Sequence, residues 1–320
     1  MRPAARLLIA STLLLAACAT QTPVILRTPQ GLPQRYELVG TPYFAQEAHQ
    51  CGPASLAMAL SAAGFKTTPE ALEALVYVPS RQGSLQPEML AAARRQGALA
   101  IPVKPRLDAL LNEVAHGHPV VILQNLGLSW MPRWHYAVVI GYDLPRAEII
   151  LRSGPNSREP MAMSTFEHTW ARSGYWGMLV LPSDQLPADA DPAELAKALA
   201  SLEKYAEPEQ MLRAYGRALE RWPDQPVLRM GLGNSAYRSG DLLQAESVYQ
   251  SIITSQPANA AALNNLASVL QDQHRLNEAL KIAERASAIA GPWQVHAQLT
   301  RDAIRQELHD AARAETQQAP

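Results

Sequence analysis

The sequence predicts two domains of different class: an α+β domain over residues 35–182, with N-terminal helices packed on an antiparallel sheet, and an all-α domain over residues 193–310. Three observations carry this. Between Tyr36 and Pro182 apolar residues first recur at helical spacing, then gather into short β-rich runs bounded by turn residues. The stretch "SDQLPADADP" (Ser183–Pro192) has the composition of a linker. Beyond it strand signals almost cease and a period of 34 positions takes over, with Pro223 and Pro257 one period apart and Gly291-Pro292 at the next. A chain of 320 residues is long enough for two cores. Its formal net charge of -1 gives no bulk attraction to nucleic acid or to an acidic membrane surface.

The first elements are targeting signals. Arg2 and Arg6 flank the start of an apolar run, Leu7–Leu15, that is too short to span a bilayer, so residues 1–17 read as a cleaved signal. The tetrapeptide Leu15-Ala16-Ala17-Cys18 resembles the lipobox of bacterial lipoproteins. That resemblance implies cleavage before Cys18 and a lipid on its thiol. With Ala19 rather than aspartate next, it implies an outer-membrane lipoprotein facing the periplasm. Contact with the membrane is then through the lipid anchor. Residues 18–34, rich in Thr, Gln and Pro, are expected to be the lipidated cysteine and a flexible tether.

The α+β domain follows. Pro53–Ala63 is helical, with Leu56, Leu60 and Ala63 on one face and Gly64 closing it. Thr67-Thr68-Pro69-Glu70 has the start signature of a helix through Leu75. Further helices run over Pro87–Gln96 and Leu107–Ala115, stopped by Gly97 and Gly117. Strands are expected at Pro119–Asn125, His135–Asp143, Glu148–Ser153 and Gly177–Pro182. In the second domain Tyr215, Tyr249 and Ala283 share a phase, as do Ala218, Ile252 and Ala286. Ala245 pairs with Ala279, and Leu232-Gly233 with Leu266-Ala267. This pattern resembles the tetratricopeptide repeat, which implies a surface for a peptide or partner protein. The stretch after Trp293 reads as a capping helix, and residues 311–320 as a disordered tail.

The chemistry centres on Cys51. There are two cysteines, and if Cys18 carries lipid, Cys51 has no disulfide partner in the chain. A lone exported thiol is buried or useful. Gly52-Pro53 places Cys51 in the first turn of a helix, where unpaired N–H groups and the helix dipole favour a thiolate. Of eight histidines, His135 is the strongest candidate base, because it opens the apolar strand "HYAVVIGYD". His116 and His118 form H-x-H with no third ligand and are expected in a solvated turn, so no metal is assigned. His49 stands close to Cys51, while His168, His274, His296 and His309 receive no role. Gln46 lies five residues before the cysteine, where its amide and the Cys51 N–H can serve a developing oxyanion. Gln50 is the alternative donor.

Gln46-x4-Cys51-Gly52-Pro53, a helix and then His135 at the head of a strand together resemble the papain-like cysteine peptidases related to the domain that cleaves double-glycine leaders from bacteriocin precursors. The resemblance covers Tyr36–Pro182. It implies Cys51 as nucleophile, His135 as general base and Gln46 as oxyanion donor, in a thiolate mechanism that hydrolyses peptide bonds of a peptide or protein substrate. Such enzymes orient the histidine with Asp or Asn on the following strand. Here "LRSGPN" puts Ser153 at that place, with Asn156 and Asp143 as alternatives. Because a serine hydroxyl cannot stabilise imidazolium by charge, the alternative is a degenerate peptidase fold acting as a binding module. No nucleotide loop or cofactor motif is present.

Overall fold

The computed structural model describes residues 21–46 and 50–318. The signal segment, Cys18 and His49 therefore lie outside the described residues. These residues divide into two compact units, one ending at Pro182 and including Leu186–Asp191, the other built mainly of Pro192 onward.

The first unit opens on a helix, α1 (Thr22–Arg27), inside the stretch expected to be a flexible tether. The expectation fails because the polar residues that read as a linker are hydrogen-bonded here. Buried Glu167 accepts from Thr22 N at 2.8 Å, Thr22 Oγ1 at 2.6 Å and Gln21 N at 3.0 Å, and Gln21 Oε1 accepts from Leu107 N at 2.7 Å. Thr22 and Ile25 are buried.

After β1 (Arg35–Glu37) come α2 (Cys51–Ala62), α3 (Pro69–Val76), a small hairpin of β2 (Tyr77–Val78) and β3 (Gly83–Ser84), and α4 (Gln86–Arg95). Thr68 caps α3, accepting from Ala71 N at 3.3 Å as its sequence signature requires. Then follow β4 (Leu99–Pro102), α5 (Leu107–Ala115), β5 (Val120–Asn125), β6 (Trp134–Asp143), β7 (Glu148–Ser153), β8 (Asn156–Ala162), α6 (Met163–Ala171) and β9 (Gly177–Leu181). The main sheet has seven strands in the order β4-β9-β5-β6-β7-β8, all antiparallel, with β1 pairing the far end of β6. Strands β1, β4 and β8 of this sheet were not expected, nor was the β2–β3 hairpin. Their signals are weak because β8 is an exposed edge strand with Pro160 in it, and β1 and β4 are short.

Alternation along β5 and β6 divides two cores. Val121, Leu123, Tyr136, Val138 and Ile140 pack with α2, α3 and α4. The intervening residues are equally buried on the other face, where α5 and α6 contact the sheet. Nine consecutive residues of α2, Gly52–Leu60, are buried, so that helix runs inside the domain and only its ends reach the surface.

Part of the expected linker, residues 183–192, is also strapped down. Glu113, buried on α5, accepts from Ala188 N at 3.0 Å, from Asp189 N at 2.9 Å and bonds His118 Nδ1 at 2.8 Å, while Lys104 pairs with Asp189 at 2.6 Å. His118 is thus a partner of a buried carboxylate rather than a solvated turn residue. His116 stays exposed, bonding Asn112 O at 2.7 Å.

The second unit contains α7 (Pro192–Leu202), α8 (Pro208–Arg221), α9 (Pro226–Ser239), α10 (Leu242–Ser255), α11 (Ala260–Asp272), α12 (Leu276–Ser287) and α13 (Gln294–Gln318). The in-phase residues Tyr215, Tyr249, Ala218, Ile252, Ala245, Ala279, Ala283 and Ala286 are all buried. Small residues make room for the rings: a Cβ at Gly231 would lie 2.2 Å from the Tyr215 ring, and one at Gly233 2.7 Å from the Tyr249 ring. Helix α13 continues to Gln318, through most of the stretch expected as a disordered tail, because "DAARAETQQ" is rich in strong helix formers.

Truncating Glu167 to Ala leaves three donors of the N-terminal segment without an acceptor. The expected outcome is a loss of about 1–3 kcal/mol in urea unfolding, with earlier proteolysis near α1. Unchanged stability would mean that α1 is not anchored through this carboxylate.

Candidate active site

Because α2 is buried along its length, its first turn is where its unpaired backbone groups meet solvent. Ala54 N already bonds Gln50 O at 3.0 Å and Pro53 has no N–H, so the free donors of that turn belong to Cys51 and Gly52. The backbone groups of Cys51, Gly52 and Tyr136 each act on the thiol and pull its pKa down. Tyr136 directly follows His135 on β6, so the helix terminus and the strand bring thiol and imidazole to one place.

Burial pushes the Cys51 thiol up from its ordinary pKa, outweighing the three amides that pull it down. Burial likewise pushes the His135 imidazole down; Glu159 raises it and Arg133 lowers it, both by smaller amounts. Each group is therefore held toward its neutral form. The expectation of a thiolate favoured by the helix end is corrected here, because desolvation is larger than what the helix end supplies.

His135 Nε2 lies 3.0 Å from Ser153 Oγ, and Ser153 is itself buried. The other candidates for that place are elsewhere. Asp143 stands at the opposite end of β6, roughly 26 Å away at ~3.3 Å per residue, and its carboxylate pairs with Arg35 at 2.9 Å. Asn156 opens β8 opposite Ser153 and is exposed, with no bond to His135 among the described residues. The turn geometry decides this, and the spacing in "LRSGPN" could not.

Gln46 is more tightly engaged than its expected role requires. Its backbone N donates to Gly154 O at 3.1 Å, and its Oε1 accepts from Gly154 N at 2.8 Å. Since that N–H can only donate, the amide orientation is fixed. Nε2 then donates to Ser55 Oγ at 3.0 Å and Tyr136 O at 3.3 Å. Both amide hydrogens are in use, so Gln46 is a strut joining α2, β6 and the β7–β8 turn. Stabilising an oxyanion requires it to leave Tyr136 O, the longer of its two bonds. Gln50, the alternative donor, stands at the N-cap position of α2 without a side-chain capping bond.

Gln46, Cys51 and His135 line one cleft of ≈ 960 Å³, with Ser153 behind the imidazole. Sequence reasoning missed its other wall. Ser84 on β3 sits so close to the helix start that a Cβ on Gly52 would lie 2.2 Å from its Oγ, a steric reason for glycine after the cysteine. The Tyr136 hydroxyl donates to Ser84 O at 3.2 Å and fixes that wall. Ser84 comes from a two-residue strand with no periodicity to reveal it. The Tyr136 contribution to the sulfur is a backbone group, which has no sequence signature.

Residues 39–178 match the family model described as Peptidase_C39 like family. The first unit carries this match, and its antiparallel sheet with packed helices is the fold of that family. Residues 194–260 and 230–292 match the tetratricopeptide repeat model, so the second unit is a tetratricopeptide-repeat region. Among solved structures, a Bacillus anthracis protein described as a C39-like peptidase is 18% identical, with TM-score 0.40, covering 46% of this chain and 97% of that one. The peptidase domain of Streptococcus ComA, a bifunctional ABC transporter involved in a quorum-sensing pathway, is 19% identical, with TM-score 0.34, covering 44% and 98%. No curated protein matches the chain. In this C39-like unit the cysteine, the histidine and the glutamine come from three separate segments, and the sheet brings them to the end of one buried helix.

Two outcomes are expected. Alkylation of Cys51 by iodoacetamide climbs with pH without a plateau near neutrality, with its midpoint above that of N-acetylcysteine. A plateau below pH 7 would show a preformed ion pair instead. Gly52→Ala slows that alkylation by about tenfold or more as Ser84 is displaced, and Gly52→Ala with Ser84→Gly recovers most of the rate.

Proposed function

We propose that the protein is a lipid-anchored cysteine peptidase of the bacterial envelope. The observation that carries this is the joint placement of thiol and imidazole: Cys51 and His135 line one cleft, and the imidazole is held by Ser153. With Nε2–H donated to Ser153 Oγ, the His135 Nδ1 lone pair is free to take the thiol proton as sulfur attacks the peptide carbonyl. The carbonyl oxygen becomes an oxyanion near the Cys51 N–H at the positive end of α2. His135 returns the proton to the leaving amine as the C–N bond breaks, and water then hydrolyses the thioester by the same relay. A neutral imidazole beside a neutral thiol suits this general-base sequence, in which the ion pair forms only during attack.

The repeats would recruit the protein substrate or a partner, and lipid on Cys18 would hold the chain on the periplasmic side of the outer membrane. Cys18→Ala is expected to move the protein from the membrane to the soluble fraction; retention in the membrane would remove the anchor from this proposal.

A second reading, a binding module on a peptidase fold, is favoured by one feature: the Gln46 amide is fully hydrogen-bonded in the resting site. The two differ in turnover. Substrate caught on a Cys51→Ala variant in membranes and then given to wild type is cleaved by a peptidase and released intact by a binding module. For the peptidase, Ser153→Asp supplies a charge that stabilises imidazolium and is expected to raise kcat/KM by about tenfold, while Ser153→Ala lowers it. An unchanged kcat/KM in both would show that Ser153 does not orient His135.

A further inference from the structure

Among the described residues, the arginines that line the cleft around Cys51 give it charge of one sign. Arg81 and Arg172 line it, and no Asp or Glu among the described residues does. Arg81 ends the turn within the β2–β3 hairpin, on the α2 side of the sheet, and is exposed with no ion pair among the described residues. Arg172 follows α6 on the other side. Its Nη1 donates to two backbone carbonyls, Asn125 O at 3.3 Å and Gly127 O at 2.6 Å, so its charge is fixed in place without a carboxylate to neutralise it. Glu88 and Glu159 act electrostatically on Tyr136 and His135, but neither lines the cleft.

Beside Arg172 the β5–β6 loop presents apolar side chains to solvent. Leu128, Trp130, Met131 and Trp134 are all at least half exposed, and Trp134 lines the cleft. The loop is held in this form from within: Asn125 Oδ1 accepts from Gly127 N and Arg133 N, each at 2.9 Å, and Arg172 grips its carbonyls. A fixed guanidinium next to a fixed aromatic wall is a preorganised binding surface.

We propose that the cleft selects a peptide with a carboxylate close to the scissile bond, held between Arg81 and Arg172, and an apolar side chain packed on Trp134. The proposal deepens the peptidase reading and rests on it for the word "scissile". Two sources supply that carboxylate, an internal Asp or Glu side chain or a free C-terminus. The guanidinium geometry accepts either. A peptide neutral at both places brings no counter-charge to the two guanidinium groups that line the cleft.

The first test needs no substrate. Alkylation of Cys51 by anionic iodoacetate and neutral iodoacetamide is followed on the Cys51-containing tryptic fragment at low salt, with N-acetylcysteine as reference. Relative to that reference, the iodoacetate-to-iodoacetamide ratio is expected to rise about fivefold. It should collapse in Arg81→Gln, return in Arg81→Lys and fade in high salt. A ratio equal to the reference, or one untouched by Arg81→Gln, overturns the proposal. Anisotropy of labelled peptides on full-length Cys51→Ala protein then separates the sources. Tighter binding of a Glu peptide with an amidated end assigns the side chain, and tighter binding of a Gln peptide with a free end assigns the terminus. Equal binding of both to that of a Gln peptide with an amidated end overturns the proposal. Preserved selectivity without cleavage of any peptide rejects the peptidase reading alone. Equal kcat/KM for acidic and neutral peptides rejects the carboxylate alone.

Discussion

The first unit depends on one constraint: α2 is apolar on every side and must be enclosed. A helix buried from Gly52 to Leu60 needs layers above and below, and the sheet with α3 and α4 provides them. Enclosure satisfies the middle of the helix and leaves its first turn as the place where backbone donors lack partners. The cleft opens there. Cys51 is placed where burial of the helix ends, and the cleft's other parts are organised around that end. Gln46 ties the incoming loop to the helix, to β6 and to the β7–β8 turn at once, so a single carboxamide sets the relative position of three elements.

The electrostatics follow from the same enclosure. The packing that positions Cys51 also desolvates it, and desolvation holds thiol and imidazole in their neutral forms. Ser153 in place of a carboxylate fits that balance. A buried anion beside His135 would pull the imidazole toward its charged form, whereas a hydroxyl orients the ring and leaves it neutral. The site thus lowers the charge it carries at rest.

Much of the fold was legible because it rests on patterns that repeat. The helices beginning at Leu107 and Pro69, the long strands β5, β6 and β7 and the phased alanines of the repeats all announce themselves by period and boundary residues. The errors have two physical sources. Thr22, Gln21 and Asp189 have the composition of linkers, yet each is hydrogen-bonded or ion-paired to a distant side chain, which local composition cannot reveal. Strands β1, β3, β4 and β8 are too short or too polar to show alternation, since their pairing partners hold them in place. In the site, Cys51, His135 and Ser153 were identifiable as residue types at telling positions. The role of Gln46 as a strut and the contribution of Ser84 became visible only with coordinates, because both depend on which acceptor or which Cβ lies nearby.

The tie made by Gln46 has a kinetic corollary. Its partners Ser55, Tyr136 and Gly154 lie up to 108 residues away along the chain, and His135 stands on β6. No local fragment contains both the thiol and its base. An unfolded chain therefore carries an ordinary cysteine, and the arrangement around it comes into being in the same step that closes the sheet over α2.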